Sequence, residues 1–106
     1  MDIHTKEFIS ANILKAEAGT TGLCGGDSGH GGRTYFALED LSGTDISFKV
    51  SEGRIEVQLG GDSELVTVTN ALKFITEIFE ESIRKTIGGT NNESTKLQQE
   101  QQKEDF

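Results

Sequence analysis

Apolar and polar residues alternate with a period of two over two stretches of this chain. Ile46, Phe48 and Val50 alternate with Ser47 and Lys49, and Ile55, Val57 and Leu59 alternate with Arg54, Glu56 and Gln58. That period places each apolar set on one face of a strand. Ser51-Glu52-Gly53 between them suits a tight hairpin turn. Arg33–Leu41 (RTYFALEDL) predicts a further strand, with Phe36 and Leu38 facing one way and Tyr35, Ala37 and Glu39 the other. Ser42-Gly43-Thr44-Asp45 is a turn signal. Three successive strands with short turns predict an antiparallel meander with one buried face. Residues 6–17 (KEFISANILKAE) predict one more strand ahead of these. Its apolar pairs, Phe8-Ile9 and Ile13-Leu14, break the alternation and indicate either burial on both faces or a bulge.

The pattern then changes period. Gly60-Gly61 breaks the last strand, and Asp62 or Ser63 is a suitable N-cap with Glu64 near the positive end of the helix dipole. The spacing predicts a helix to about Thr86, stopped by Gly88-Gly89. At ~100° per residue, Leu65, Val68, Leu72, Ile75, Phe79 and Ile83 form one stripe, expected to cover the meander. Ala71, Phe74 and Ile78 widen the apolar surface to about half the circumference. One helix on one sheet needs only the first stripe. The second predicts another partner, most simply the same helix of a second subunit. The competing reading folds the N-terminal strand or the segment 19–33 over it.

The fold class expected is therefore α+β: a small antiparallel meander packed on one long C-terminal helix, in an oligomer. Residues 1–89 make a single domain. Residues 90–106, whose only large apolar groups are Leu97 and Phe106, make a polar tail, disordered or weakly helical.

Composition sharpens this picture in three ways. Net charge is -8, so a general nucleic-acid-polymer binder, which needs a basic face, is excluded. A single Cys24 leaves no internal disulfide, and no apolar run reaches the length of a membrane span. The N-terminal MDIHTKEF is charged where a signal peptide would be apolar, which favours the cytoplasm. Lastly, seven of the fourteen residues from Gly19 to Gly32 are glycine. Such density points to left-handed turns or to main-chain N–H groups that approach a ligand closely, unless the segment is simply a mobile surface loop. It ends in Arg33 and Thr34, and Arg grips phosphate in a bidentate fork.

Several shorter matches fail on chemistry. Gly26-Asp27-Ser28-Gly29 spells a protease nucleophile sequence, but a general base and an orienting carboxylate need a scaffold about twice this long. The histidines are only His4 and, two residues from Ser28, His30. Cys24, Asp27 and His30 fall short of the four Cys or His ligands of structural zinc, and Cys24 reads as a small packed side chain. No metal and no cofactor are expected. No Gly-Lys-Ser/Thr follows the glycines, and they lead into a strand rather than a helix, so neither a P-loop nor a dinucleotide fingerprint is present. A phosphate would instead be held by a nest of turn N–H groups with Arg33. Phe74 reads as an interface side chain or a platform for a base. Arg84 reads as a solvated cation favoured by the dipole, and Arg54 as a cross-strand partner for a carboxylate.

The segment AEAGTTGLCGGDSGHGGRTYFALEDL, followed by a short meander and GGDSELVTVTNALKFITEIFEE, resembles the first branch of the phage Thoeris anti-defence sponge family. The resemblance spans about residues 10–85, with CGGDSGHGGRTYF its most specific part. It implies a non-enzymatic protein in the host-cell cytoplasm that sequesters cyclic nucleotide immune signals intact. The ligands implied are glycocyclic ADP-ribose isomers and, in some members, cyclic trinucleotides at a separate site. It also implies a sheet followed by helices, and assembly as a dimer or a hexamer. Carried over residue by residue, the trinucleotide loop falls on Gly32, Arg33 and Thr34 with His30 adjacent. An aromatic against adenine and an arginine on the diphosphate fall on Phe74 and Arg84. Whether the polar tail holds a counterpart of the family's second helix is left open. The alternative to a sponge is a structural or protein-interaction module that forms a homo-oligomer through its helix.

Overall fold

A computed structural model describes residues 1–88. Its elements run β1 (His4–Ile9), β2 (Ile13–Thr20), β3 (Thr34–Ser42), β4 (Ile46–Ser51), β5 (Arg54–Leu59) and α1 (Asp62–Gly88). The fold is α+β, with antiparallel sheets followed by one long helix, as the pattern predicts. The tail at 90–106 lies outside the described residues.

Three details differ from the expectation. First, residues 6–17 are not one strand. Ser10-Ala11-Asn12 turns the chain, and Ser10 N–H donates to the Asn12 carbonyl at 2.8 Å. The apolar pairs then fall into place. Phe8 lies opposite Leu14, and Ile9 opposite Ile13, one pair on each face. Between Ile13 and Leu14 the register against β3 shifts, so the bulge is real as well. The turn has neither Gly nor Pro and is held from outside. Ala11 N–H donates to Ser63 Oγ at 2.8 Å, and Ser63 Oγ donates to Asn12 Oδ1 at 2.9 Å. Asn12 Nδ2 donates to Thr67 Oγ1 at 2.9 Å. Asn12 and Thr67 are buried, and their polar atoms are paired there, as burial requires.

Second, there is no three-stranded meander of β3, β4 and β5. One sheet has the order β1-β2-β3; β4 and β5 form a separate hairpin. Strand β2 takes the centre because Leu14, Ala16 and Ala18 on one of its faces are fully buried beneath the helix. The β4–β5 turn does match its sequence signal, with Gly53 at φ 71°, a left-handed value that favours glycine. Phe48 pairs with Val57 and Val50 with Ile55, so the predicted apolar ladder exists. Only its base, Ile46 and Leu59, packs against the core. Val50 and Ile55 remain 78% and 72% exposed.

Third, the helix is rotated by about 70° from the orientation its apolar stripe predicts, at ~100° per residue. Val68, Ala71 and Ile75 are buried on the sheet, with Phe74, Ile78 and Phe79 half-buried beside them. The stripe assigned to a second subunit therefore lies largely on the sheet, and Phe74 meets Phe8 edge to face at 5.8 Å. Leu65, Leu72 and Ile83 of the other stripe are exposed. Rotation of this kind needs polar residues that are content inside. Thr67 faces Asn12, and buried Glu64 accepts from Asp45 N–H at 3.3 Å. Gly61 rather than Asp62 or Ser63 caps the helix, its carbonyl accepting from Leu65 N–H, while Ser63 serves the hairpin turn.

Among the described residues, no helix is long and apolar enough to cross a membrane.

Candidate functional site

The glycine-rich segment connects the end of β2 to the start of β3. Its mouth is sewn shut by threonines. Thr20 Oγ1 and Thr34 Oγ1 lie 2.8 Å apart. Thr21 N–H donates to the Arg33 carbonyl at 2.9 Å, and Arg33 N–H donates to Thr21 Oγ1 at 2.8 Å. A loop with joined ends that packs on itself is an Ω-loop. Its tip is a turn closed by His30 N–H on the Asp27 carbonyl at 3.1 Å, with Ser28 and Gly29 both at positive φ. The letters Gly-Asp-Ser-Gly thus encode a turn. Gly31, at φ 87°, brings its backbone against Gly26 so closely that a Cβ there would lie 2.6 Å from the Gly26 carbonyl oxygen. Bare main chain at this position lets the loop close.

The loop lines an open cavity of about 860 Å³ with its own residues, including His30, Gly32, Arg33 and Thr34. Four of the six residues expected to bind ligand are thereby brought together. The Arg33 guanidinium donates to the carbonyls of Gly29 at 2.9 Å, Gly31 at 3.3 Å and Gly32 at 3.2 Å. Both terminal nitrogens of the guanidinium are thus engaged by the loop's own carbonyls. The main-chain N–H groups of residues 23–29, Gly31 and Gly32 donate to no acceptor among the described residues. Asp27 also lines the cavity and offsets the Arg33 charge. Cys24 is exposed, not packed as expected, with its sulfur 3.7 Å from Thr21 Oγ1. Among the described residues, no three His, Cys, Asp or Glu side chains converge as a metal site would require.

Phe74 and Arg84 are not part of this loop site. Phe74 lines a separate cavity of about 320 Å³ with His4, Thr20 and Lys85, between β1 and the helix. Arg84 is exposed and belongs to the lining of neither cavity. A third cavity, about 230 Å³, lies between the loop mouth and the helix, lined by Thr20, Gly22, Leu23, Thr34, Phe79 and Ile83. The sequence offers no signal for it, because Phe79 and Ile83 read there as ordinary core residues.

On the sheet face away from the helix, Tyr35 Oη donates to Glu17 Oε1 at 3.2 Å. This bond to a carboxylate, reinforced by the Glu17 charge, raises the Tyr35 pKa above its ordinary 10.0. Lys15 sits 3.3 Å from Glu39 and 3.9 Å from Glu17 on the same face.

Neither a protein-family model, nor a curated protein, nor a solved structure matches this chain.

Proposed function

We propose that this protein binds a phosphate-bearing cyclic nucleotide in the loop between β2 and β3 and holds it unbroken. It would act as a sponge in the host-cell cytoplasm, as its resemblance to the Thoeris anti-defence sponges implies. One observation carries the reading: the glycine-rich main chain of the loop and Arg33 line an open cavity large enough for a nucleotide. A sponge works by affinity and slow release, not by stabilising a transition state. The loop offers donors, and no step of this reading requires a general base.

The test is retention. Protein is incubated with cyclic ADP-ribose isomers or a cyclic trinucleotide, filtered and denatured, and the released compound is identified. Intact ligand is the expected outcome, and cleaved ligand or none sinks the reading. Arg33→Lys keeps the charge but loses the fork, so retention should fall by about tenfold or more. Full retention by this variant would remove Arg33 from the site.

A second reading is assembly of identical chains, and the bare β4–β5 ladder favours it. Two-stranded hairpins are marginal alone in water, and this one leaves four large apolar side chains uncovered. Leu65, Leu72 and Ile83 add an exposed helical stripe. The two readings are compatible, and mass under native conditions, with and without ligand, reports the second.

A further inference from the structure

The fork that would grip a phosphate already grips the loop. Nη2 of Arg33 donates to the Gly29 carbonyl at 2.9 Å, and Nη1 donates to those of Gly31 and Gly32 at 3.3 and 3.2 Å. Gly29 and Gly31 stand at φ 98° and 87°, a left-handed backbone that lets the chain double back over so short a span. Three carbonyls from one short run of chain thereby meet a single cation. The backbone of Arg33 is pinned separately: its N–H donates to Thr21 Oγ1, and its carbonyl accepts from Thr21 N–H. The side chain can therefore change partners while the loop mouth stays shut. It is exposed and lines the loop cavity, so an incoming anion can reach it.

We infer that Arg33 is a self-occupied latch. In the free protein its guanidinium holds the carbonyls of Gly29, Gly31 and Gly32; a phosphate-bearing ligand takes their place, and the tip of the loop is released. The inference rests on the loop-binding reading and adds a regulation to the same site. A phosphodiester brings a negative charge and two oxygens that match the planar fork, whereas each carbonyl is a neutral, single acceptor. The exchange therefore favours an anion with two adjacent oxygens over a halide. Carbonyls that lose the guanidinium turn to water, and the tip they fixed gains freedom to follow the ligand. Because the latched form must open before the fork can grip, apparent affinity is reduced by the fraction that is open, and weakly held anions do not pass that threshold. An Arg33 that only shaped the loop would behave otherwise, keeping its carbonyls with or without ligand.

The experiment is nuclear magnetic resonance on isotope-labelled protein titrated with cyclic triadenylate, a cyclic trinucleotide. The carbonyl carbons of Gly29, Gly31 and Gly32 report their own hydrogen bonds. In the unaltered protein they should shift upfield together as the ligand binds. Arg33→Lys, whose single ammonium cannot reproduce the fork, should move the same signals in the same direction with no ligand present. Unchanged signals from the buried Leu14 and Ala71 confirm that this variant folds. Ligand that binds while the three carbonyls keep their original positions overturns the latch and leaves the loop reading standing. The latch also falls if ligand-free Arg33→Lys matches the unaltered protein at these carbonyls, since the guanidinium then holds nothing. If the unaltered protein does not bind the cyclic trinucleotide, the loop reading fails and the latch falls with it.

Discussion

Strand β2 and the β4–β5 hairpin carry the same kind of pattern and meet opposite fates. In β2 the alternating Leu14, Ala16 and Ala18 are fully buried. In the hairpin the alternation is cleaner and the side chains larger, yet Phe48, Val50, Ile55 and Val57 stay exposed. Alternation tells which residues share a face; it does not tell whether anything covers that face. The difference is set by α1, whose small Ala71 and flat β2 surface of alanines allow close approach, and by the turn at Asn12, which latches the helix in place.

The largest break in this comparison is Leu14→Ala. It should cost about 2 to 5 kcal/mol in chemical denaturation, because the helix cannot follow the lost volume. The matched deletion in the hairpin, Ile55→Ala, should cost under about 0.5 kcal/mol in dilute protein. A large, concentration-dependent cost for Ile55→Ala would show that the ladder is covered by another chain. Next in size is Asn12→Ala. Thr67 and Ser63 would each lose a buried partner, for a loss of about 1 to 3 kcal/mol in the same measurement. If stability is unchanged, the turn is not latched as described. The smallest effect concerns the outer face of the sheet, where polar groups meet one another as the hairpin's apolar groups do not. Tyr35 is the sole tyrosine and there is no tryptophan, so tyrosinate absorbance reports it alone. Glu17→Ala should lower the alkaline midpoint toward 10.0. The sign follows from the raised folded pKa: the Tyr35–Glu17 bond stabilises the fold below the ordinary pKa and is lost as pH climbs through the raised one.

Element types were legible in the chain because each has a local cause. Gly53 marks the hairpin turn, and the change from a period of two to 3.6 marks the helix. Pairing partners were not legible. Nothing near β3 states that it will pair backward with β2 across a fourteen-residue separation rather than forward with β4. The helix orientation was misread because Glu64 and Thr67 look like surface residues until Asp45 and Asn12 are seen opposite them. Part of the candidate site was readable, since glycine density and Arg33 advertise the loop. The third cavity was hidden, for Leu23, Phe79 and Ile83 come from segments that only the closed loop mouth brings together.

Where the hairpin leaves the core, Gly60 N–H donates to the Asp45 carbonyl at 2.9 Å, so its two stems stand side by side. A segment whose ends already touch can be lengthened, shortened or exchanged without moving a strand or turning the helix. The fold therefore keeps its sheet, helix and glycine loop on a fixed frame while β4 and β5 are free to diverge. Variation among chains of this design should accumulate there first, as changes in length as much as in identity.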